Sequence, residues 1–361
     1  MNILLLAKDS HVGGLVKSTY NLAHGLSLMN NIVVIGISPS DAIESLKPYN
    51  LHEIDFDTKS PLEIVKNYWR IARLVKKYRI EIIQAQNRLP ALYAWLYCTF
   101  HRNVKYTWAS LVAPIPSSFI HRITTKYGFC ATTSSTDEAK FLMEALKIPQ
   151  DKVKVIYQGI DLWKCTKTST DEQAALRNKI GIKEGEKLIL LYGRLNKIKG
   201  HEFLLDSLRL LNNTNYKVVF PGENQEYKNH LMDIIKKYNL EERIIFPGYI
   251  NGSEYLSITD LMVLPSLKEG LSLAFLETIS MGVPVIRTKT GGYEDVKDLC
   301  FGVDYGDVNR LAQLIDDCLN GSEIFPKRAE IAKKESYRFS VENMVNNYYN
   351  LYCTAIDKKS C

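Results

Sequence analysis

Apolar and polar positions follow two alternating periodicities along the chain, which predict strands separated by helices. Short runs rich in Ile, Val and Leu are typical of buried strands, and longer segments with apolar residues three or four positions apart are typical of helices. In the first part of the chain, strands are predicted at residues 2–7, 32–37, 80–85, 104–108, 129–133 and 153–157. Helices are predicted between them at residues 15–29, 61–78 and 136–146.

The same alternation begins again after residue 163. Strands are predicted at residues 188–192, 217–221, 244–246, 261–264 and 284–286. A helix rich in Tyr is predicted at residues 340–356. Strands that alternate with helices form parallel sheets covered on both faces. The predicted fold class is therefore α/β, with two Rossmann-like, doubly wound domains.

The length of the chain, 361 residues, also fits two domains. We expect a first domain at residues 1–163 and a second at residues 164–339. A C-terminal helix at about 340–361 is expected to pack back on the first domain. Open parallel sheets bind ligands beyond the carboxyl ends of their strands. Two such sheets are expected to face a common cleft, where the polar motifs should gather.

The composition is that of an ordinary globular protein, with 46% hydrophobic and 24% charged residues. The apolar run at the start is too short for the core of a signal peptide. The longest uncharged apolar stretch, residues 90–100, is too short to span a bilayer. The seven cysteines are scattered and contain no Cys-x-x-Cys pair. They argue against a zinc site and a disulfide framework, so we expect a cytoplasmic protein.

Positive charge is concentrated in the first half. Residues 1–163 contain 19 Lys and Arg against 13 Asp and Glu, whereas the remaining residues contain 27 of each. Residues 66–130 carry 11 basic side chains and a single acid, Glu81. Such a block either solvates helix faces or attracts an anionic partner, such as a membrane surface or a charged glycan. Nucleic acid is not expected, because no recognised nucleic-acid-binding module accompanies the block.

Part of this basic block lies on one predicted helix, residues 64–79. Its apolar residues at positions 64, 68, 71, 75 and 78 form one stripe. The stripe is expected to pack on the sheet, which would leave the cations facing outward.

Two glycines, Gly13 and Gly14, follow the first predicted strand and precede a helix. Paired glycines at such a turn let the backbone approach a ligand closely, and the N-terminus of the helix attracts anions. A diphosphate would fit there, although paired glycines also occur in ordinary turns. The pair is not the Gly-x-Gly-x-x-Gly of dinucleotide-binding enzymes, because no third glycine follows at the required spacing.

Two cations follow the first strand of the second half. Arg194 is expected at the carboxyl end of that strand, and Lys199 at the start of the next helix. Fixed cations at this edge of a sheet can neutralise the charge that builds on a leaving diphosphate without a metal. The bland alternative is a pair of solvated surface cations.

Two carboxylates, Glu269 and Glu277, are separated by seven residues. Glu269 is expected in the loop after a buried strand, and Glu277 two turns into the following helix. Carboxylates accept paired hydrogen bonds from neighbouring hydroxyls, which suits sugar and ribose rings. The amides of Gly270, Leu271 and Ser272 are expected to open that helix, where they can receive an anion.

Together these motifs resemble glycosyltransferase family 4, a large group of retaining enzymes with the GT-B fold. The resemblance covers most of the chain. In the second half the family's motifs stand in the expected order, as Gly193-Arg194-Leu195, Lys199-Gly200, the E-x7-E pair, residues 281–286 and Gly291-Gly292. In the first half, the glycine pair fits the family opening, and Gln158-Gly159-Ile160-Asp161 is similar to its interdomain motif.

The resemblance implies a transferase whose substrate is a nucleotide sugar, with no cofactor and no metal. UDP is the expected nucleotide because it is frequent in the family. Arg194, Lys199 and Glu269 are the implied catalytic residues, with the two cations holding the diphosphate. Glu277 would bind the ribose hydroxyls, and Glu269 with the following backbone would contact the donor sugar.

One departure from the family concerns histidine. Many members carry a histidine after the strand at residues 104–108, where this chain has Ala109. A second frequent histidine, at the end of residues 80–85, is replaced by Gln84 or Gln86. No catalytic histidine is therefore expected. A retaining mechanism in which the departing phosphate helps to deprotonate the acceptor does not require one.

The expected reaction builds a lipopolysaccharide, a capsule or another surface polysaccharide on a glycan or glycolipid acceptor. The acceptor would be anionic and held by the basic first domain, which would also touch the inner face of the membrane. One alternative is a non-catalytic GT-B protein that binds a sugar or lipid, which the missing histidine favours. Others are a glycosyltransferase that acts on a protein or a small soluble acceptor, and a nucleotide-sugar epimerase of the same architecture.

Overall fold

A computed structural model describes residues 1–8, 14–39, 44, 46–110 and 118–357. Contacts between segments divide the chain into two units. The first consists of Met1–Ile160 with Phe339–Cys361, and the second of Asp161–Arg338. Each unit has its own parallel sheet and its own hydrophobic core.

The sheet of the first unit is parallel throughout. Its strands, within the described residues, are β1 (Asn2–Ala7), β2 (Ile32–Ile37), β3 (Leu51–Glu53), β4 (Ile82–Ala85), β5 (Lys105–Ser110), β6 (Ala131–Thr133) and β7 (Val153–Val155). They lie in the order β3-β2-β1-β4-β5-β6-β7. The order changes direction between β1 and β4, which is the topological switch point of a doubly wound sheet.

Helices cover both faces of this sheet. In the described part of the unit they are α1 (Gly14–Leu28), α2 (Pro61–Tyr78), α3 (Arg88–Phe100), α4 (Phe119–Thr124), α5 (Thr136–Glu144) and the C-terminal α13 (Val341–Ala355). Apolar side chains of α1 and α13 share one core cluster with β1 and β2. Those of α2 and α3 belong to a second cluster on the sheet.

The buried face of α2 differs from the predicted stripe. Asn67, Ile71, Leu74 and Val75 are its buried residues, whereas Ile64 is 43% exposed. Asn67 is polar, but it can be buried because its side-chain amide donates to the carbonyl oxygen of residue 55 at 2.7 Å. The helix therefore turns a different set of apolar side chains toward solvent than the periodicity alone predicts.

The end of the chain returns to the first unit at the Gln158–Asp161 motif. Ile160 donates its N–H to the carbonyl oxygen of Phe339 at 2.8 Å, and Val341 donates to the carbonyl oxygen of Ile160 at 3.0 Å. A Cβ atom at Gly159 would lie 2.7 Å from the Cα atom of Val341. The motif thus holds α13 in place through backbone contact that requires glycine.

The second unit repeats the architecture. Its described strands, also all parallel, are β8 (Lys187–Leu190), β9 (Tyr216–Val219), β10 (Ile244–Ile245), β11 (Leu261–Leu264), β12 (Val285–Thr288) and β13 (Phe301–Val303), in the order β10-β9-β8-β11-β12-β13. Its described helices are α6 (Thr170–Lys179), α7 (His201–Leu208), α8 (Gln225–Lys237), α9 (Gly252–Ser257), α10 (Leu273–Ser280), α11 (Val308–Leu319) and α12 (Ile324–Glu335). The predicted α/β class with Rossmann-like sheets is confirmed. Among the described helices, none is both long and apolar enough to cross a bilayer.

Candidate functional site

Lys199 lies in a short turn after β8. Lys197–Lys199 form a 3₁₀ turn, and the side chain of Asn196 caps it by accepting the N–H of Lys199 at 3.2 Å. Gly200 ends the turn with a φ of 75°, in the left-handed region, and α7 begins directly after it. The backbone therefore fixes the point from which the Lys199 side chain extends.

Gly200 also packs tightly on the loop that follows β11. A Cβ atom at Gly200 would lie 1.9 Å from the carbonyl oxygen of Pro265. Beside this contact, Leu267 donates its N–H to the carbonyl oxygen of Ile198 at 2.8 Å. The turn after β8 and the loop after β11 are thus held together by their backbones.

An ion pair joins the same two segments. Nζ of Lys199 contacts Oε2 of Glu269, and the two side chains are only 16% and 15% exposed. Ser266 donates its hydroxyl to the same carboxylate oxygen at 3.2 Å. Two of the three predicted catalytic side chains are therefore together. Because the pair is largely shielded from water, Lys199 is held at a fixed place where an anion can meet it.

The segment after Glu269 enters α10 with unused backbone N–H groups. The helix begins at Leu273, Ser272 is its N-cap residue, and no side chain caps it. The first backbone hydrogen bond of the helix runs from the N–H of Leu276 to the carbonyl oxygen of Ser272. Among the described groups, none accepts from the N–H groups of residues 271–275. These amides form a donor set that a phosphate can occupy.

Glu277 lies one turn into α10, not two, because the helix starts at Leu273. It is 8% exposed. Burial, together with the negative charge of Glu277, raises the pKa of Tyr192, which lies just beyond the end of β8. The two carboxylates of the E-x7-E motif therefore have different surroundings. Glu269 pairs with a lysine, and Glu277 is buried near a phenol.

The remaining predicted donor-binding residues are not joined to this pair. Arg194 is exposed, and it forms no ion pair with any carboxylate that the structure describes. Gly13 lies outside the described residues, and Gly14 is the first residue of α1. Their roles toward the donor stay predictions.

Two of the positions at which the family pattern predicts histidine, Ala109 and Gln84, hold residues that support the sheet. Ala109 is fully buried in β5, opposite Thr132 of β6. Gln84 is also fully buried, and its side-chain oxygen accepts from the hydroxyls of Thr107 and Tyr352. Since Tyr352 belongs to α13, Gln84 ties the sheet to the C-terminal helix.

A carboxylate outside the predicted site residues, that of Glu138, is buried at the carboxyl edge of the same sheet. Glu138, in the first turn of α5, accepts from the hydroxyl of Ser110 at 2.6 Å and from the N–H of Ser134 at 3.4 Å. Burial raises the pKa of Glu138 to about 7. Ser135, three residues earlier, is the N-cap of the helix, and this spacing is typical of a capping pair. The spacing predicts that Ser135 and Glu138 cap the helix, but it does not predict that the Glu138 side chain is buried.

The raised pKa of Glu138 predicts a pH dependence of stability. A carboxyl whose pKa rises from 4.5 to about 7 on folding stabilises the fold fully below pH 4.5. This contribution, about 3 kcal/mol, is lost as the pH rises through 7. Relative to Glu138→Gln, the wild type should therefore lose that much free energy of unfolding between pH 4.5 and 8 in urea titrations. Glu144→Gln, at the exposed end of the same helix, is the control. A difference that does not vary with pH would contradict the assignment.

Two aspartates after β3, Asp55 and Asp57, form an Asp-x-Asp sequence of the kind that can bind a divalent metal. Oδ1 of Asp57 pairs with Nζ of Lys8 at 2.5 Å, and Oδ1 of Asp55 accepts the N–H of Asp57. Across the part of the chain that the structure describes, no three His, Cys, Asp or Glu side chains are grouped so that they could hold a metal ion.

Family models match both units. Residues 12–164 match the model described as Glycosyltransferase Family 4, and residues 172–337 match the one described as Glycosyl transferases group 1. The two matches together cover most of the chain. The chain belongs to glycosyltransferase family 4. The resemblance drawn from the motifs is thereby confirmed.

This family member is 30% identical over 218 residues to an uncharacterised glycosyltransferase of Methanocaldococcus jannaschii. The match covers 58% of the chain and 56% of that protein, so the chain spans about half the length of this curated relative. It is also 24% identical over 320 residues to the alpha-monoglucosyldiacylglycerol synthase of Streptococcus pneumoniae, which covers 81% of the chain and 70% of that protein.

Among solved structures, the fold is similar to that of Anabaena HepE in complex with UDP-glucose. The TM-score is 0.83 at 19% identity, over 98% of this chain and 100% of that one. At this identity the likeness shows the fold, and it confirms the GT-B architecture.

Proposed function

We propose that the chain is a retaining, metal-independent glycosyltransferase that moves a sugar from a UDP-sugar to a glycan or glycolipid acceptor. The observation that carries the proposal is the Lys199–Glu269 pair beside the uncapped N-terminus of α10. A fixed cation and a set of unused N–H groups suit a leaving diphosphate, and a carboxylate suits sugar hydroxyls. UDP is supported by Anabaena HepE, whose structure contains UDP-glucose.

In the proposed reaction, the bond between C1 of the sugar and the phosphate oxygen breaks, and the acceptor oxygen bonds to C1 on the same face. The acceptor proton passes to the departing phosphate oxygen, so the protein needs no base. Lys199, Arg194 and the N–H groups of α10 stabilise the negative charge that appears on the diphosphate. Glu269 accepts hydrogen bonds from the donor sugar, and Glu277 from the ribose.

We propose an anionic acceptor, in the biosynthesis of lipopolysaccharide, capsule or another surface polysaccharide, bound by the first unit. Support comes from the 11 basic side chains that residues 66–130 carry against one acid. The streptococcal relative is named as a synthase of a glucosylated diacylglycerol, which is consistent with a glycolipid acceptor.

The experiment that tests the proposed reaction is a donor panel. Purified protein is incubated with UDP-, GDP- and ADP-sugars, and release of the nucleoside diphosphate is measured with and without a glycolipid extract. We expect slow release from one UDP-sugar and faster release with the acceptor. Nucleotide binding without release from any donor would instead favour a non-catalytic sugar- or lipid-binding protein.

Turnover should survive chelation. With two cations and the amides of α10 assigned to the diphosphate, we expect the rate in EDTA to equal the rate in untreated buffer. The Asp55-x-Asp57 sequence makes this a real test. The metal-free mechanism would be overturned if EDTA abolished turnover and magnesium or manganese restored it. A matching loss of turnover in Asp57→Asn would assign the metal to the Asp55-x-Asp57 sequence.

We further propose that α2 and α3 rest on an anionic lipid bilayer. Their outer surfaces combine apolar with basic side chains. The exposed apolar residues are Leu62, Ile64, Val65 and Trp69 on α2 and Leu89, Trp95, Leu96 and Phe100 on α3. The exposed cations of α2 are Lys66, Arg70, Arg73, Lys76 and Lys77. Amphipathic side chains beside cations are typical of helices that lie in the interface of anionic membranes.

Vesicle co-sedimentation tests this contact. We expect binding to vesicles that contain phosphatidylglycerol, little binding to pure phosphatidylcholine, and release at high salt because salt screens the charges. Trp69→Ser should weaken binding roughly tenfold, since it removes an apolar anchor of the interface. Trp163→Ser is the matched control, because Trp163 is 91% exposed but belongs to the second unit. Equal vesicle binding by Trp69→Ser and Trp163→Ser would contradict the proposal that α2 contacts the bilayer.

A further inference from the structure

Arg287 is a buried cation next to the loops assigned to the donor. It lies on β12 and is 1% exposed. Its guanidinium carbon stands 5.3 Å from the centre of the Phe275 ring, which belongs to α10. Burying a charged side chain is costly unless its hydrogen bonds are used. The partners of Arg287 therefore indicate what the charge does in this unit.

One nitrogen of Arg287 links two loops. Nη2 donates to the carbonyl oxygen of Gly291 at 3.0 Å and to that of Gly270 at 3.4 Å. Gly270 directly follows Glu269 in the loop after β11, and Gly291 lies in the loop after β12. The loops are also in backbone contact, because a Cβ atom at Gly291 would lie 2.8 Å from the carbonyl oxygen of Glu269. Arg287 thus holds the loop that carries Glu269 from its buried side.

The bond to Gly270 sets the direction of the next N–H group. In a trans peptide, the carbonyl oxygen of Gly270 and the N–H of Leu271 point in opposite directions. Because Arg287 holds the oxygen toward the core, the N–H of Leu271 is turned away from the core. This N–H belongs to the unused donor set before α10. A Cβ atom at Gly292 would lie 3.1 Å from the nitrogen of Leu271, so glycine leaves that donor uncovered.

We propose that Arg287 is a positioning residue for the donor diphosphate. It orients and polarises the Gly270–Leu271 peptide, so that the N–H of Leu271 donates to a phosphate oxygen. A hydrogen bond from a charged donor is stronger than a neutral one, and successive hydrogen bonds polarise one another. Arg287 acts through the peptide and does not touch the donor. The proposal rests on the proposed function, because the diphosphate is the ligand assigned there.

A purely structural role makes a different prediction. If Arg287 only fastened the loops, its removal would lower the melting temperature and weaken all nucleotides alike. If it directs a phosphate-binding amide, removal should weaken UDP much more than UMP, because UMP lacks the second phosphate. The ratio of the two dissociation constants is therefore the readout that separates the roles.

The test is calorimetric titration of wild type, Arg287→Met and Arg287→Lys with UDP and with UMP. We expect Arg287→Met to reduce the preference for UDP over UMP about tenfold, and Arg287→Lys to reduce it less, because lysine keeps the charge but not the planar fork. Arg328→Met is the matched control. Arg328 also donates to a carbonyl oxygen, that of Cys300 at 2.8 Å, and stacks on Phe301 at the start of β13.

Gly292→Ala is a second variant, which keeps the proposal testable if Arg287→Met does not fold. Alanine is strained at the Gly292 φ of 75°, so we expect this variant to be less stable than the wild type. Its methyl group would also cover the N–H of Leu271, so the folded protein should show a reduced preference for UDP. An unchanged UDP-to-UMP ratio in Arg287→Lys and Gly292→Ala, both folded, would overturn the proposal. Failure of the wild type to bind any nucleotide would instead overturn the proposed function.

Discussion

Replacing Lys199 by Gln is expected to lower kcat for donor turnover roughly 100- to 1,000-fold, which corresponds to about 3 to 4 kcal/mol of lost stabilisation of the transition state. The reason is that Lys199 supplies a cation at a fixed place, largely shielded from water, where the diphosphate charge appears. Gln keeps a hydrogen-bond donor for Glu269, so the carboxylate is not left without a partner. The measurement is steady-state release of the nucleoside diphosphate.

Lys197→Gln is the control for this change. Lys197 lies in the same 3₁₀ turn as Lys199, but it is exposed. Loss of a cation there should change kcat less than threefold, since an exposed charge is screened by water and salt. Equal kcat in wild type and Lys199→Gln, with normal melting curves, would show that the Lys199 cation has no part in the chemistry.

Gly200→Ala is expected to lose about 2 to 5 kcal/mol of folding stability and most of the activity. Two causes add. Alanine is strained at a φ of 75°, and its Cβ would collide with the carbonyl oxygen of Pro265, 1.9 Å away. The collision separates the turn that carries Lys199 from the loop that carries Glu269. Urea denaturation measures the first effect, and turnover of the folded fraction measures the second.

Gly185→Ala separates strain from collision. Gly185 has a φ of 78°, close to that of Gly200, but no atom lies within 4 Å of the position that its Cβ would occupy. Alanine there should cost about 1 to 2 kcal/mol, from backbone strain alone, and leave kcat unchanged. If both variants lose the same stability and keep full activity, the packing of Gly200 on Pro265 is not what holds the site.

Strands buried on both faces could be predicted from the sequence, because nothing but continuous apolar runs fits such positions. The runs at β1, β2 and β11 match the strands that the structure shows, residue for residue. Two strands, β3 and β13, were not predicted. Both have three residues and lie at an edge of their sheet, where a short strand needs only a weak apolar signal. Helix α2 was predicted with its observed bounds, since Ser60 and Pro61 mark its start.

For the candidate site, only the residues that belong to a sequence motif could be predicted. Glu269 and Lys199 are 70 positions apart, and only the fold shows that they pair. The start of α10 was placed too early, because Gly270 and Leu271 precede the helix rather than open it. Arg287 and Glu138 were missed because a charged residue in an apolar strand or a helix start reads as a surface residue. Their burial depends on neighbours that are distant in sequence.

The most direct test of the central claim is a calorimetric titration of the wild-type chain with UDP, GDP and ADP, each beside its monophosphate. If the second unit binds a nucleotide sugar through the diphosphate, one diphosphate should bind at least tenfold more tightly than its monophosphate. Lys199→Gln should remove most of that difference, because it removes the cation that meets the second phosphate. Equal affinities for diphosphate and monophosphate in all three pairs, or no binding of any nucleotide, would contradict the account.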